Sequence, residues 1–143
     1  KLWSGDIYGR PVAAGAAIGD YAAGVVLAHE FGHHIADELS VQLGVKAIPN
    51  GDKNNELLAD CFAGVHAHAL SLATDGRLDP GDIDEALAAL EALGDKNPTS
   101  TDPHGNPAER QNAFKIGLYG SEANKVPGYP HNCLKAFWPE GNW

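Results

Sequence analysis

The chain has 143 residues, 43% of them hydrophobic, which suits one packed domain over residues 1–143 and leaves no stretch that is disordered by composition. Ten basic against nineteen acidic residues give a formal charge of −9, which argues against nucleic acid as a partner. The longest apolar run, Tyr21 to Ala28, is far too short to span a bilayer, and the chain starts at Lys with no Met. It therefore reads as processed, excised or partial, and any targeting segment or membrane anchor would lie upstream of Lys1.

Residues 1–20 carry no strong helical period. Ile7-Tyr8 and Val12 suggest a short strand broken by Gly5, Gly9-Arg10-Pro11 and Gly15. Such a strand would be the remnant of a substrate-binding edge that pairs with an extended peptide. Asp20 then caps a helix expected from about Tyr21 to Leu43, with Val25, Ala28, Ile35 and Leu39 as its core stripe and Gly44 as its stop.

Inside that helix lies His29-Glu30-Phe31-Gly32-His33. Histidines at i and i+4 project from one face, one turn apart, so both imidazoles can reach one metal ion. Glu30 sits about 100° further round, close enough to touch a metal-bound water without being a ligand. The pattern is that of a zinc site with a built-in general base. Gly32 is small and is expected to leave room beside the metal. His34 falls on another face and reads as a surface or packing residue.

A catalytic zinc takes three protein ligands and keeps one position open. A local third ligand, as in H-E-x-x-H-x-x-G-x-x-H/D, would need Gly and His or Asp where the chain has Ala36 and Leu39. The better candidate is Glu56, in a second helix expected from about Glu56 to Ala73 with Asn54 or Asn55 as its cap. Asp60 shares its face and can accept the second N–H of a ligand imidazole, that of His29. Asn55 is grouped with Asp60 as an outer support, because thermolysin also has Asn before its ligand Glu. This is the thermolysin-like, or gluzincin, layout. The competing reading is that both carboxylates merely suit a helix N-terminus. Gly64 continues the Glu56–Asp60 face and is expected to let the two metal-bearing helices approach. His66 and His68, at i and i+2, cannot chelate together and read as structural.

A third helix is expected from Ile83 to Leu93, then a polar loop from Gly94 to Asn106 containing His104-Gly105. Asn106-Pro107 restarts a helix to about Leu118, and a short helix is expected around Leu134 to Phe137. The two cysteines, Cys61 and Cys133, lack metal-pair spacing; they are one disulfide or two buried thiols. A bridge would imply an oxidising compartment.

The blocks HEFGHH, NELLADCFAG, GDIDEAL, HGNPAERQNAFKIGLYG and CLKAF, in this order, resemble the bacterial putative neutral zinc metallopeptidases from about Val25 to Phe137. The resemblance implies metal ligation by His29, His33 and Glu56, with Glu30 as base. It also implies a Cys61–Cys133 disulfide and a secreted or membrane-anchored bacterial protein, hence an extracellular or cell-envelope address. The segment before Tyr21 departs from the family pattern.

The resulting expectation is a mainly α fold, α+β if the N-terminal element forms, with a zincin-like core of two metal-bearing helices. The expected function is a zinc metallopeptidase that hydrolyses peptide bonds by Glu30-assisted attack of a zinc-bound water on a peptide or protein substrate. His104 is the candidate donor for the oxyanion, with Tyr119 and His131 in reserve. The alternatives are a non-peptidase zinc hydrolase such as an amidase, or a catalytically silent zinc-binding interaction module.

Overall fold

The computed structural model describes residues 20–72, 78, 81–94 and 104–143. The candidate strand at Ile7-Tyr8 and Val12 lies outside them. Among the described residues the chain forms five helices and no strand: α1 (Asp20–Leu43), α2 (Lys53–Ser71), α3 (Asp82–Leu93), α4 (Pro107–Tyr119) and α5 (Pro130–Phe137). The mainly α expectation holds for this part of the chain.

Helix ends follow local chemistry. Gly44 stops α1 by adopting φ 66°, a left-handed conformation that side chains resist. Helix α2 starts ahead of the expected Glu56, because Asp52, not Asn54 or Asn55, is its cap. The Asp52 carboxylate accepts the Asn54 backbone N–H at 2.9 Å. Helix α4 opens on a reciprocal cap: Asn106 Oδ1 accepts the Glu109 N–H at 2.9 Å, and Glu109 Oε2 accepts the Asn106 N–H at 3.0 Å. Helix α5 reaches back to Pro130, where a residue without an N–H suits the first turn.

Helix α2 is the centre of the fold. It is buried continuously from Leu57 to Gly64, so it has no solvent face over two turns. On one side Ala63 and Ala67 join Val25 of α1, Leu90 of α3 and Phe114 of α4. On the other, Leu58, Cys61 and Phe62 pack with Ala113 of α4 and with Leu134, Phe137 and Trp138 at the C-terminal end. The Trp138 indole N–H donates to the Lys46 carbonyl at 3.0 Å, which ties the α1–α2 loop to the same core.

Two glycine contacts correct the expectations for Gly64 and Gly32. A Cβ on Gly64 would collide with the Phe114 carbonyl oxygen, and one on Gly117 with that of Cys61. Gly64 therefore lets α2 meet α4, not α1. The contact between the metal-bearing helices is made at Gly32. A Cβ there would lie 2.9 Å from both Cα and the carbonyl oxygen of Ala59, so the space beside Gly32 is taken up by α2 and is not open.

Cys61 and Cys133 form a disulfide between α2 and α5, closing a loop with a sequence separation of 72. A loop of that size contributes about 4 kcal/mol in the chain-entropy account. Cys133→Ala is expected to lower the melting temperature under non-reducing conditions. The gap to wild type should close in reductant. An unchanged melting temperature without reductant would mean that the bridge adds nothing.

Candidate metal centre

The α1–α2 contact at Gly32 and Ala59 sets the geometry of the site. Gly32 lies between His29 and His33, and Ala59 lies between Glu56 and Asp60. The helices thus cross where both sets of polar side chains face each other. His29 and His33 stand with ring centroids 4.7 Å apart and planes at 89°. Their Nε2 atoms are 3.1 Å apart. Glu56 Oε2 lies 3.2 Å from His29 Nε2, and Glu56 Oε1 lies 3.4 Å from His33 Nε2.

These three residues form a cluster able to hold a metal ion. The spacing fits a small cation. Ligand bonds of about 2.0–2.1 Å at tetrahedral angles put donor atoms roughly 3.3–3.4 Å apart. The donor set, two imidazoles and a carboxylate, also suits a borderline ion.

Behind the ligands is a buried charged layer. His29 is 6% exposed, and its Nδ1 lies 2.7 Å from Asp60 Oδ1. That bond turns Nε2 towards the cluster and sets the tautomer. Burial disfavours a charged imidazole at His29, but the hydrogen bonds to Asp60 and Glu56 outweigh it and raise its pKa to about 9. Burial likewise opposes ionisation of Glu56, yet its bonds to His29 and His33 hold its carboxyl well below the usual range. Glu56 is thus held ionised, as a ligand must be, and a cation binding at His29 would displace a proton.

Asp60 is fully buried, and its charge is met by a residue that sequence reasoning missed. Arg110 of α4 donates from Nε to Asp60 Oδ2 at 2.7 Å and from one terminal nitrogen to Oδ1 at 2.8 Å. The same terminal nitrogen lies 3.9 Å from Glu56 Oε2. The available signal was the burial expected of Asp60 itself, since a buried carboxylate needs a cationic or hydrogen-bonding partner. Arg110 stands in the HGNPAERQNAF block that carries the resemblance.

The ligands open onto a cleft of about 540 Å³ lined also by Glu30, His104, Arg110, Val26, Ala92 and Leu93. Glu30 and His104 therefore face the same space as the three donors.

Residues 12–128 match the putative neutral zinc metallopeptidase family. The chain belongs to that family. Similar proteins include the uncharacterized protein YpfJ of Escherichia coli (strain K12), 37% identical over 121 residues, covering 71% of this chain and 41% of that protein. The uncharacterized protein Rv2575 of Mycobacterium tuberculosis (strain ATCC 25618 / H37Rv) is 34% identical over 131 residues, covering 77% of this chain and 45% of that protein. The chain thus spans less than half the length of these curated relatives. No solved structure matches it.

Other candidates of this family member lie away from the cleft. The Asn55 amide donates to Asn50 Oδ1 at 3.4 Å, so it supports the preceding loop and not the ligands, as had been expected. Tyr119 lines a separate groove beside Lys115 and Ser121. His131 stacks on Tyr129 with centroids 5.4 Å apart. Neither lines the metal cleft, which removes both as reserve donors. His34 sits beside Phe31 on the exposed side of α1, and His66 lines an apolar groove on α2.

Glu56→Ala removes one corner of the donor triangle. Its zinc affinity is expected to fall by more than about 100-fold, beyond the loss typical of an outer partner. Titration against a competing chelator checks this, and unchanged affinity would place the third ligand elsewhere.

Proposed function

We propose that the chain is the catalytic part of a zinc-dependent peptidase of the gluzincin type. The observation that carries this reading is the His29–His33–Glu56 triangle with Glu30 facing the same cleft. Zinc is favoured over harder ions by the two imidazole donors. Bound there, zinc would lower the pKa of a water towards neutrality and polarise the scissile carbonyl.

The protein's own residues supply the proton transfers. Glu30 is exposed to the cleft and is not engaged by the cluster that draws in Glu56. It takes the proton of the attacking water and passes it to the leaving amine. His104, on the rim, supplies a donor to the tetrahedral oxyanion. His29 would bind the metal through Nε2 in place of a proton, with Asp60 fixing the tautomer from the Nδ1 side. A purely structural site would close its fourth position with another protein group and would have no use for Glu30.

The substrate is a peptide or protein. The Cys61–Cys133 bridge is a feature of oxidising compartments, and it supports an extracellular or cell-envelope location. Among the described residues no helix is long and apolar enough to cross a membrane.

Glu30→Gln should keep fold and metal while lowering kcat roughly 10²–10⁴-fold on a quenched-fluorescent peptide library. Full turnover by this variant would remove Glu30 as the base. If zinc-loaded wild-type protein cleaves no peptide, the amidase reading or the silent binding module takes its place.

His104→Ala is expected to lower kcat by roughly 10²–10³ with little change in KM, the pattern of a group that acts on the transition state. A change in KM alone would make His104 a substrate-binding residue.

A further inference from the structure

Arg110 lies on the rim of the metal cleft yet is 2% exposed, and it reaches across from α4 to a carboxylate of α2 that is itself 0% exposed. An arginine and an aspartate are each costly to bury, and their pairing offsets that cost only when the geometry is good. Here it is good: two bonds, at 2.7 and 2.8 Å, run from two nitrogens of one guanidinium to the two oxygens of one carboxylate. The fork fixes both the position and the plane of Asp60. Asp60 Oδ1, one of those two oxygens, is also the one 2.7 Å from His29 Nδ1.

We propose that Arg110 is a positioning residue of the metal centre. It acts through the short bonds to Asp60, more than through its longer approaches to His29 Nδ1 at 3.4 Å and Glu56 Oε2 at 3.9 Å, to hold the His29 ring so that Nε2 is presented to the cation. This rests on reading His29, His33 and Glu56 as metal ligands.

The surrounding structure supports the assignment. Arg110 follows Glu109, whose carboxylate closes the α4 cap and also meets Lys53 Nζ at 2.6 Å, in the turn of α2 that precedes Glu56. The first turn of α4 is thus pinned to the first turn of the ligand-bearing helix, and the guanidinium is carried with it. The fixed positive charge also has an electrostatic role. It offsets the charge of the buried Asp60 carboxylate, which would be costly to enclose unpaired.

The test is a cycle on zinc affinity, read by competition with a chromophoric chelator and independent of peptide cleavage. Arg110→Gln should weaken zinc binding about 10- to 100-fold, the range for loss of an outer partner. Arg110→Lys keeps the charge but cannot form the fork, and should fall between it and wild type. Asp60→Asn should weaken binding comparably, and Asp60→Asn with Arg110→Gln should be no weaker than Asp60→Asn alone, because Arg110 acts through Asp60. A double variant that shows the product of the two single losses would mean that Arg110 acts independently, and the proposal fails. Wild-type affinity in Arg110→Gln, with only a lower melting temperature, would make its role purely structural and overturn the proposal while leaving the peptidase reading intact. If Arg110→Gln does not fold, Arg110→Lys takes its place in the cycle, alone and with Asp60→Asn, and the same comparison decides. A wild-type protein that binds no zinc overturns the peptidase reading and this proposal together.

Discussion

The site depends on the close approach of α1 to α2 at Gly32. A helix pair packed through ordinary side chains keeps its axes 8–10 Å apart. With a glycine against the backbone of Ala59, the side chains on either side of the contact meet across a short gap. His29 and His33 flank Gly32 by about one turn in total, and Glu56 and Asp60 flank Ala59 in the same way. The ligand triangle and the Asp60–His29 bond are therefore two consequences of one steric fact. Any residue larger than glycine at position 32 would have to push α2 away, and the donor distances of 3.2 and 3.4 Å would lengthen with it.

Helix α2 can be held so close because it is fixed on its other sides. Gly64 and Gly117 give it a second backbone-level contact, with α4, and the Cys61–Cys133 bridge joins it to α5. The arrangement is informative: Glu56 faces α1, Asp60 lies between α1 and α4, and Cys61 and Gly64 face the elements behind. A helix buried on all sides is a rigid support, and metal sites need ligands whose positions do not relax when the ion binds.

Much of this was readable from the chain, and the missing parts share a cause. Helices α1 and α2 and the shared face of His29 and His33 follow from spacing along one helix, because i and i+4 positions are fixed by helix geometry before any folding occurs. Glu56 was expected from the need for a third donor, and the fold brings it to the two imidazoles. The role of Asp60 follows from the same register. Spacing does not say which neighbour a helix face meets. Gly64 was assigned to the wrong partner helix for that reason, and Gly32 was read as free space when it is the contact itself. Arg110 stands 50 residues after Asp60 with all of α3 between them, and no local pattern links the two. The cap of α2 was misplaced because Asp52, Asn54 and Asn55 are all capable caps, and the choice rests on backbone conformation. The candidate strand at Ile7-Tyr8 and Val12, and the substrate edge expected of it, lie outside the described residues.

The buried charges give the site a further property. Asp60 and Arg110 are almost fully enclosed, and His29 nearly so. Enclosed charges interact more strongly than exposed ones, and each left unpaired would be expensive. The three side chains come from three different helices, α1, α2 and α4, so no two helices can complete the set alone. Satisfying Asp60 requires that α4 be docked and that α1 cross α2 at the right place. The polar layer behind the ligands thus makes a correctly assembled donor triangle a condition of burying Asp60 at all. Local packing errors that a purely apolar core would absorb would here leave an unpaired charge, which is a physical reason for placing an ionic layer directly behind a metal site.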